Sequence, residues 1–448
     1  MLEFLNRYFF GIGVPLLLVF AGIYLTFKLK CFYIFHPIKV IKTFFKKQPG
    51  SGISPFSAVS TALAGTLGVG NIVGVASALS LGGYGAIFWM WISAVCASVL
   101  KYSEIALSVS HRRYRADGSP HGGAMYYIFD YLNAHKRPTF GIFLSGIFAG
   151  LCILDSFTMG CIVQINSAAN AIHTTLGIDA LWIGIGVALF VLFIVLTGKR
   201  SIFALNEKLV PFLSLGYILI SIIIIIIKKD MLPTAFGLIF KNAFCFDSAM
   251  GGFIGFILSR SLRYGTMRGL LSNEAGCGTA PLAHSAANTK SPAEQGFWGI
   301  FEVFIDTIIL CTMTALVIIV STDCTPLPNL DGINLTIFSY SQVIGTYAGF
   351  FIALSILFFG FATILCWAYY GLECVSFLTN KKAFSYLYIA SFLGCIIYGS
   401  LIAPENIWGM ADFAIGIMTT INVCMLISMR REICEITVNY FNNKVEHP

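Results

Sequence analysis

The sequence predicts an all-α polytopic membrane protein of about eleven transmembrane helices, one peripheral helix followed by two inverted five-helix repeats. Three observations carry this. The first is composition: 57% of the 448 residues are hydrophobic and only 11% are charged, against about a quarter charged in soluble domains. Mean hydropathy is +0.83, and so few charges could not cover the surface of a soluble chain this long. The second is that apolar stretches of the ~20 residues needed to cross a ~30 Å hydrocarbon core recur along the whole chain. The third is that two of these stretches are interrupted by glycine, and they lead two successive blocks of five.

In order, the stretches run 9–28, 56–80, 84–110, 141–173, 180–198, 205–228, 250–275, 296–321, 348–378, 384–403 and 407–429. The first continues into a lysine-rich segment with no small-residue cleavage site, so it reads as an anchor rather than a signal peptide. Residues 1–50 then form the peripheral helix and a basic loop, 51–230 the first repeat, 231–432 the second, inverted repeat, and 433–448 a tail. Lysines and arginines crowd the loops 28–50, 111–140, 199–208 and 260–290 and the segment after 429. The positive-inside rule places these in the cytoplasm, with the N-terminus outside, the C-terminus inside and the chain in the plasma (inner) membrane. The 13 cysteines show no CxxC pair or Cys/His metal spacing. One bridge, between Cys245 and Cys324 in outside loops, is left open.

The second stretch contains Gly65-Thr66-Leu67-Gly68-Val69-Gly70-Asn71-Ile72-Val73-Gly74, and the seventh begins Gly251-Gly252-Phe253-Ile254-Gly255. A helix interrupted at membrane depth frees backbone groups that must line a cavity or meet a ligand. Because five is odd, the second block enters the membrane upside down relative to the first. Paired broken helices in inverted halves point to the binding site of a secondary transporter, near the midplane between the two breaks. Helix packing through Gly70-x-x-x-Gly74 and Gly251-x-x-x-Gly255 is the plainer reading. It leaves the Asn and the fivefold placement without a reason. Nucleotide binding is excluded: Val73 stands where the dinucleotide fingerprint needs glycine. Neither a zinc-hydrolase motif nor a nucleophile elbow is present, so nothing suggests an enzyme.

The chain resembles the alanine or glycine:cation symporter family nearly end to end. The resemblance is carried by Gly82-Gly83-Tyr84-Gly85-Ala86-Ile87-Phe88-Trp89-Met90-Trp91 and by Gly68-Val69-Gly70-Asn71-Ile72-Val73-Gly74-Val75. It continues in Arg263-Tyr264-Gly265, Arg268-Gly269, Ser272-Asn273-Glu274-Ala275-Gly276, Phe304-Ile305-Asp306-Thr307 and Tyr369-Tyr370-Gly371. It implies a LeuT-type core with one additional helix, no cofactor, and uptake of a small neutral amino acid, alanine or glycine in L or D form, with sodium as coupling ion. The chain departs from the family at Cys96-Ala97, at Phe361-Ala362-Thr363, where adjacent hydroxyls are usual, and at Leu67.

A zwitterionic amino acid presents a carboxylate and an ammonium. The amides around Gly68, Val69 and Gly70 suit the carboxylate, since an unwound helix end offers N–H donors. Carbonyls near Gly251 and Gly252, or the side-chain amides of Gln164 and Asn166, suit the ammonium. The resemblance favours Gln164; an interhelical hydrogen bond is the plainer role for both amides. Trp367 would wall the pocket or simply pack. By analogy with the LeuT-type fold, one sodium would take carbonyls of Ala64 and Leu67 and the Thr363 hydroxyl. A second would take the Thr66 carbonyl, the Asn71 amide oxygen and the substrate carboxylate. Among intramembrane ionisable groups, functional by default, Asp155 faces either the substrate ammonium or a proton. Glu302 and Asp306, four apart, share a helix face. Glu104 and Glu274 are expected to form a gate at the cytoplasmic side with Arg260, Arg263 and Arg268. The rival readings are proton coupling on the same fold and, less favoured, an ion channel.

Overall fold

The computed structural model describes residues 13–46, 52–244, 260–325, 327–330, 332–402 and 405–442. Among these, seven helices are long and apolar enough to span a membrane, and one further pair passes together with a 63° bend. Helix α1 (Val14–Lys28) and α2 (Pro37–Phe44) precede the bent pair α3 (Pro55–Thr66) and α4 (Val73–Gly82). Helix α5 (Ala86–Ser110) follows, then a two-stranded hairpin of β1 (Arg113–Tyr114) and β2 (Pro120–His121), and α6 (Ala124–Ala134). The next crossing is α7 (Pro138–Phe157) running through a wide π turn, Thr158–Ile162, into α8 (Val163–Leu176). Helices α9 (Ala180–Leu196) and α10 (Lys199–Ile227) complete the first block, and α11 (Leu232–Ala243) connects to the second.

The second block opens with α12 (Arg260–Asn273) and the short α13 (Ala280–His284). It continues with α14 (Pro292–Val303), a π turn over Phe304–Cys311, α15 (Thr312–Ser321) and α16 (Gly332–Ile344). It closes with α17 (Tyr347–Leu378), α18 (Lys382–Leu401), α19 (Glu405–Ser428) and α20 (Arg430–Phe441). Ten of the eleven stretches expected from hydropathy coincide with described helices to within a few residues, although Val14–Lys28 and Ala180–Leu196 are shorter than a full crossing. Of the seventh, 250–275, only the part from Arg260 is described, as α12.

Helix starts follow from local chemistry. Ser54 accepts from the Ser57 N–H at 2.9 Å with Pro55 at the first helical position, Asp179 caps α9 through Leu181 N–H at 2.8 Å, and Ser291 caps α14. These are side-chain oxygens taking N–H groups that the first turn cannot satisfy.

Cross-contacts sort the loops into two ends. Lys39 donates to the Phe441 carbonyl, Arg115 to Glu373, and Lys199 to Ser119. These define a basic end. Tyr84 meets Thr325, Lys228 pairs with Asp323 at 2.7 Å, and Ser261 donates to the Gly82 carbonyl at 2.7 Å. These define the opposite end. Helix α3 enters from the basic end and α12 from the opposite one, so the two broken crossings run in opposite senses. Arg260, Arg263 and Arg268 therefore lie along the half that begins at Gly82. Their expected placement with the basic loops is corrected; the remaining lysines and arginines keep the asymmetry.

Helix α5 is the central strut. It is buried over most of its length, with α12 against one side and α14 against the other. Gly265 lies on the Ala86 carbonyl, and a Cβ at Gly269 would stand 3.2 Å from the Met90 Cα. Small residues let helix backbones approach where lipid supplies no hydrophobic drive.

At the basic end α20 folds back under the bundle. His111, just beyond α5, bridges Asp130 and Glu432 at 2.9 Å each. Burial opposes its charge, but the two carboxylates outweigh that and raise its pKa above the usual value. A raised folded-state pKa gives stability that is fully present below the unfolded value, about 6.5, and is lost as pH rises through the folded value. Hydrogen exchange over Arg430–Phe441 should therefore quicken as pH is raised through that range, after correction for intrinsic exchange. In His111→Gln this extra pH dependence should vanish.

Candidate functional site

The bend between α3 and α4 is the first element of the site. Leu67 leaves helical geometry, Gly68 is extended, and Val69–Asn71 form a single 3₁₀ turn. The Thr66 carbonyl takes the Gly68 N–H at 2.9 Å. A Cβ at residue 68 would stand 2.5 Å from Gln164 Oε1 and 3.0 Å from Thr363 Oγ1. Only glycine fits, and three predicted residues from three crossings meet at that one backbone position.

Gln164 Oε1 accepts from the Val69 N–H at 3.2 Å, while its Nε2 donates to the Met159 carbonyl at 3.2 Å, inside the first π turn. Thr363 Oγ1 lies 2.7 Å from the Ala64 carbonyl and 2.9 Å from the Phe359 carbonyl. Its single proton serves one of these, and its lone pairs remain. Ala64 and Leu67 are buried beside it.

Asn71 anchors a second cluster. Its Nδ2 donates to Asp306 Oδ1 at 2.8 Å and to the Asp306 carbonyl at 3.2 Å. Asp306 Oδ2 accepts from Ser272 Oγ and from Thr307 Oγ1, both at 2.8 Å. Among the described residues, Asn71 Oδ1 is buried with no hydrogen-bond partner. A buried polar atom left open needs a reason. The oxygens of Asp306, Ser272 and Thr307 gather on the Nδ2 side of the same side chain, where the π turn Phe304–Cys311 carries Asp306 and Thr307. Neutral oxygens with one carboxylate are what a hard monovalent cation binds. Ser272 and Thr307 were not anticipated, although both lie within motifs that carried the family resemblance.

A cavity of about 540 Å³ opens beside this cluster. Val69, Gly70, Ser272, Met159 and Cys277 line its depth. Val73, Gly74, Ser77 and Gly332 line the half toward the opposite end. The peripheral helix α1 contributes Val14, Pro15 and Leu18. Arg268 and Asp412, of opposite charge, both line this space.

Several expectations are corrected. Asn166 turns away from the break: its Nδ2 donates to the Gly399 carbonyl at 3.1 Å and to the Ile402 carbonyl, tying α8 to α18. Trp367 does not line the cavity. It is fully buried, packed directly on Gly160, with its carbonyl accepting from Tyr388. Gly251, Gly252 and Cys245 lie outside the described residues. The described break of the seventh crossing is at Glu274–Thr279, where Glu274, Gly276 and Gly278 have φ of 49°, 82° and 81°.

The expected gate of Glu104 and Glu274 with Arg263 and Arg268 does not form. Arg263 lies over the Tyr264 ring, and Arg268 faces the cavity. Glu104 Oε2 instead accepts from the Gly278 N–H at 3.1 Å and from Asn422 Nδ2 at 2.8 Å, and Glu274 accepts from Thr279. The cation among these acids is Lys101. Its Nζ lies 3.0 Å from Glu302 and 2.8 Å from the Asn273 carbonyl, with no solvent exposure. His284 Nε2 meets the other Glu302 oxygen at 3.2 Å, and Gln295 holds its Nδ1 at 2.8 Å. A lysine inside a crossing gave no sign in sequence of which acid it would meet.

What bridges helix blocks at the basic end is Arg115 of the hairpin, whose Nη2 lies on both oxygens of Glu373 in α17 at 2.7 and 2.8 Å. Hydrogen bonds between ionised partners are stronger than neutral ones. Arg115→Gln should loosen this closure and speed labelling of Cys374, buried beside Glu373, by a membrane-permeant thiol reagent several-fold. Unchanged labelling would show that the hairpin is not a closure.

Two broken crossings of opposite sense, oxygen clusters at one break and a cavity open toward one end define a secondary transporter of the LeuT-like fold. The sodium:alanine symporter family model matches residues 1–447, and the chain belongs to that family. It is similar to the sodium/alanine symporter AgcS of Methanococcus maripaludis, at 35% identity over 94% of this chain and 92% of that protein. It is also similar to a probable sodium/glutamine symporter, GlnT, of Bacillus subtilis, at 34% identity over 96% of this chain and 87% of that one. Among solved structures, a Na⁺-coupled sialic acid symporter in a substrate-bound outward-open state matches with a TM-score of 0.52. It does so at 14% identity, over 97% of this chain and 86% of that one, which speaks to fold alone. The chain is thus a multi-pass membrane transporter of an amino-acid:cation symport family.

Proposed function

We propose that the protein imports a small neutral amino acid, alanine or glycine, driven by the sodium gradient, by alternating access. The observation that carries this is Asn71 at the helix break, its Nδ2 on Asp306, which also holds Ser272 and Thr307, and its Oδ1 open among the described residues, with Val69, Gly70, Val73 and Gly74 of the break lining the cavity. The substrate carboxylate meets backbone at Gly70, beside the Val69 N–H that Gln164 holds, where a broken helix end favours negative charge. It thereby comes next to the cation held by Asn71 and Asp306. Each ligand lowers the other's desolvation cost, which is the coupling. Thr363 with the Ala64 and Leu67 carbonyls forms a second cation position, which would tie α3 to α17.

The cavity lies on the half away from the basic loops, and Arg115–Glu373 holds the other end closed. With the basic loops in the cytoplasm, this is the arrangement that admits solute from outside. Arg268 and Asp412 stand across the cavity where a pair could close over bound solute. The test is uptake of labelled alanine into proteoliposomes, with a sodium gradient, with a proton gradient alone and with neither. Unlabelled glycine, D-alanine and glutamine serve as competitors. Uptake requiring sodium and blocked by alanine or glycine supports the reading. Uptake driven equally by a proton gradient alone would overturn its ion, and preferential block by glutamine would overturn its substrate.

A further inference from the structure

Asp155 is the acid the transport reading leaves unused. It is fully buried in α7. Thr158 Oγ1 lies 3.3 Å from its Oδ1 and 3.2 Å from the Leu154 carbonyl, between which its one proton is shared, and the Met159 N–H reaches the carboxyl; among the described residues Oδ2 has no hydrogen-bond partner. Among the described residues no lysine, arginine or histidine forms an ion pair with it. The charged groups facing it are Glu274, from the break of the seventh crossing, and Asp412 of α19, both acids. The Cys152 thiol faces it from its own helix. Three other buried acids differ. Glu302 has Lys101, Asp306 accepts three side-chain hydrogen bonds, and Glu104 has two donors and Lys101 one turn away. An ionised carboxylate buried without a cation is strongly disfavoured, and neutralisation is the usual relief.

The position of Asp155 gives that proton a consequence. It precedes the π turn Thr158–Ile162 and holds the hydroxyl and N–H of the turn's first two residues. The carbonyl of the second, Met159, accepts from Gln164 Nε2, and Gln164 Oε1 accepts from the Val69 N–H at the helix break. π turns are one-residue bulges frequently found at functional sites. A continuous chain of contacts therefore runs from the Asp155 carboxyl to the backbone that lines the cavity.

We propose that Asp155 is a proton-binding residue, and that its occupancy sets the π turn and thereby the placement of Gln164 against the broken helix. Deprotonation breaks the carboxyl O–H bond and passes the proton to water reaching from the cavity, whose wall includes Met159 and Asp412. The carboxylate left behind draws the Thr158 hydroxyl and Met159 N–H toward itself and shifts the carbonyl that holds Gln164. The proton site is independent of which ion drives transport; only its effect on uptake rests on the symport reading.

The experiment is infrared difference spectroscopy of the purified full-length protein in liposomes, titrated from acid to alkaline pH. It compares wild type, Asp155→Asn and Thr158→Val. A protonated buried carboxyl signal should be present in wild type, lose the Asp155 component in Asp155→Asn, and titrate at a different pH in Thr158→Val. Sodium-driven alanine uptake should vary with pH in wild type over the range where that signal titrates, and should not vary there in Asp155→Asn. A wild-type carboxyl signal unchanged by Asp155→Asn, or superimposable pH profiles of uptake, would overturn the proposal. If wild type takes up no alanine, the symport reading fails while the infrared titration still decides the proton site.

Discussion

Asn71→Ala and Asp306→Asn should each abolish sodium-dependent accumulation of labelled alanine at low sodium, while the protein still inserts and purifies normally. The two residues come from crossings 235 positions apart in sequence and share a hydrogen bond of 2.8 Å. Asp306 supplies the one carboxylate of the cluster, and Asn71 supplies the oxygen left open. A hydrogen bond or ligand contact to a charged group contributes about 1.5–3 kcal/mol, which corresponds to roughly a ten- to hundredfold rise in half-saturating sodium. Accumulation should therefore return partly at high sodium in Asn71→Ala, where the carboxylate remains, and less in Asp306→Asn. Sodium titrations of uptake in proteoliposomes read this directly. Wild-type sodium dependence in both variants would remove the cation assignment. A loss of uptake at every sodium concentration, with unchanged sodium-induced protection of the break from hydrogen exchange, would instead place both residues in the substrate site alone.

The second large effect is on stability. Lys101→Met should destabilise the protein by about 3–5 kcal/mol, because removing one member of a buried pair leaves the other charge uncompensated. Lys101 and Glu302 are both fully buried, and Lys101 also holds the Asn273 carbonyl, the last of α12 before its break. Methionine keeps most of the volume, so the loss is electrostatic rather than a cavity. Lys101→Met combined with Glu302→Gln should recover part of it, since replacing a buried pair by neutral groups is far less costly than breaking it. Thermal unfolding in detergent micelles, with the double variant more stable than the single, is the expected pattern. A single variant as stable as wild type would show that the pair is not holding the break.

Much of the architecture was legible beforehand for a simple reason. A crossing must satisfy its backbone internally and bury or face lipid with apolar side chains, so its length and composition are written locally. The first break was legible for the same reason, since Gly68 and Asn71 have no place in an uninterrupted crossing. Gln164 and Thr363 emerged through resemblance, and the structure brings both onto Gly68. The glycines at the start of the seventh crossing lie outside the described residues. The described interruption, Glu274-Ala275-Gly276-Cys277-Gly278, is a second one that hydropathy did not mark, where helical φ gives way to positive φ. For Asn166 the sequence left two roles open, because an amide on an apolar helix looks alike whether it faces a pocket or a neighbouring carbonyl; the structure gives it the second.

By itself, then, the sequence determined the membrane class, the crossings and their alternation, and the presence of a backbone interruption early in the first block. These depend on hydropathy, chain length and helix propensity, which act over one or two turns. Only the tertiary structure decided which charges meet. It paired Asp306 with Asn71 and Lys101 with Glu302, set Arg115 on Glu373, turned Arg268 into the cavity, and left Asp155 without a cation among the described residues. The reason is that inside a membrane the cost of an unpaired charge falls sharply once a partner comes within a few ångströms. Such partners are chosen by how helices far apart in sequence cross, through π turns and glycine contacts that no local pattern encodes.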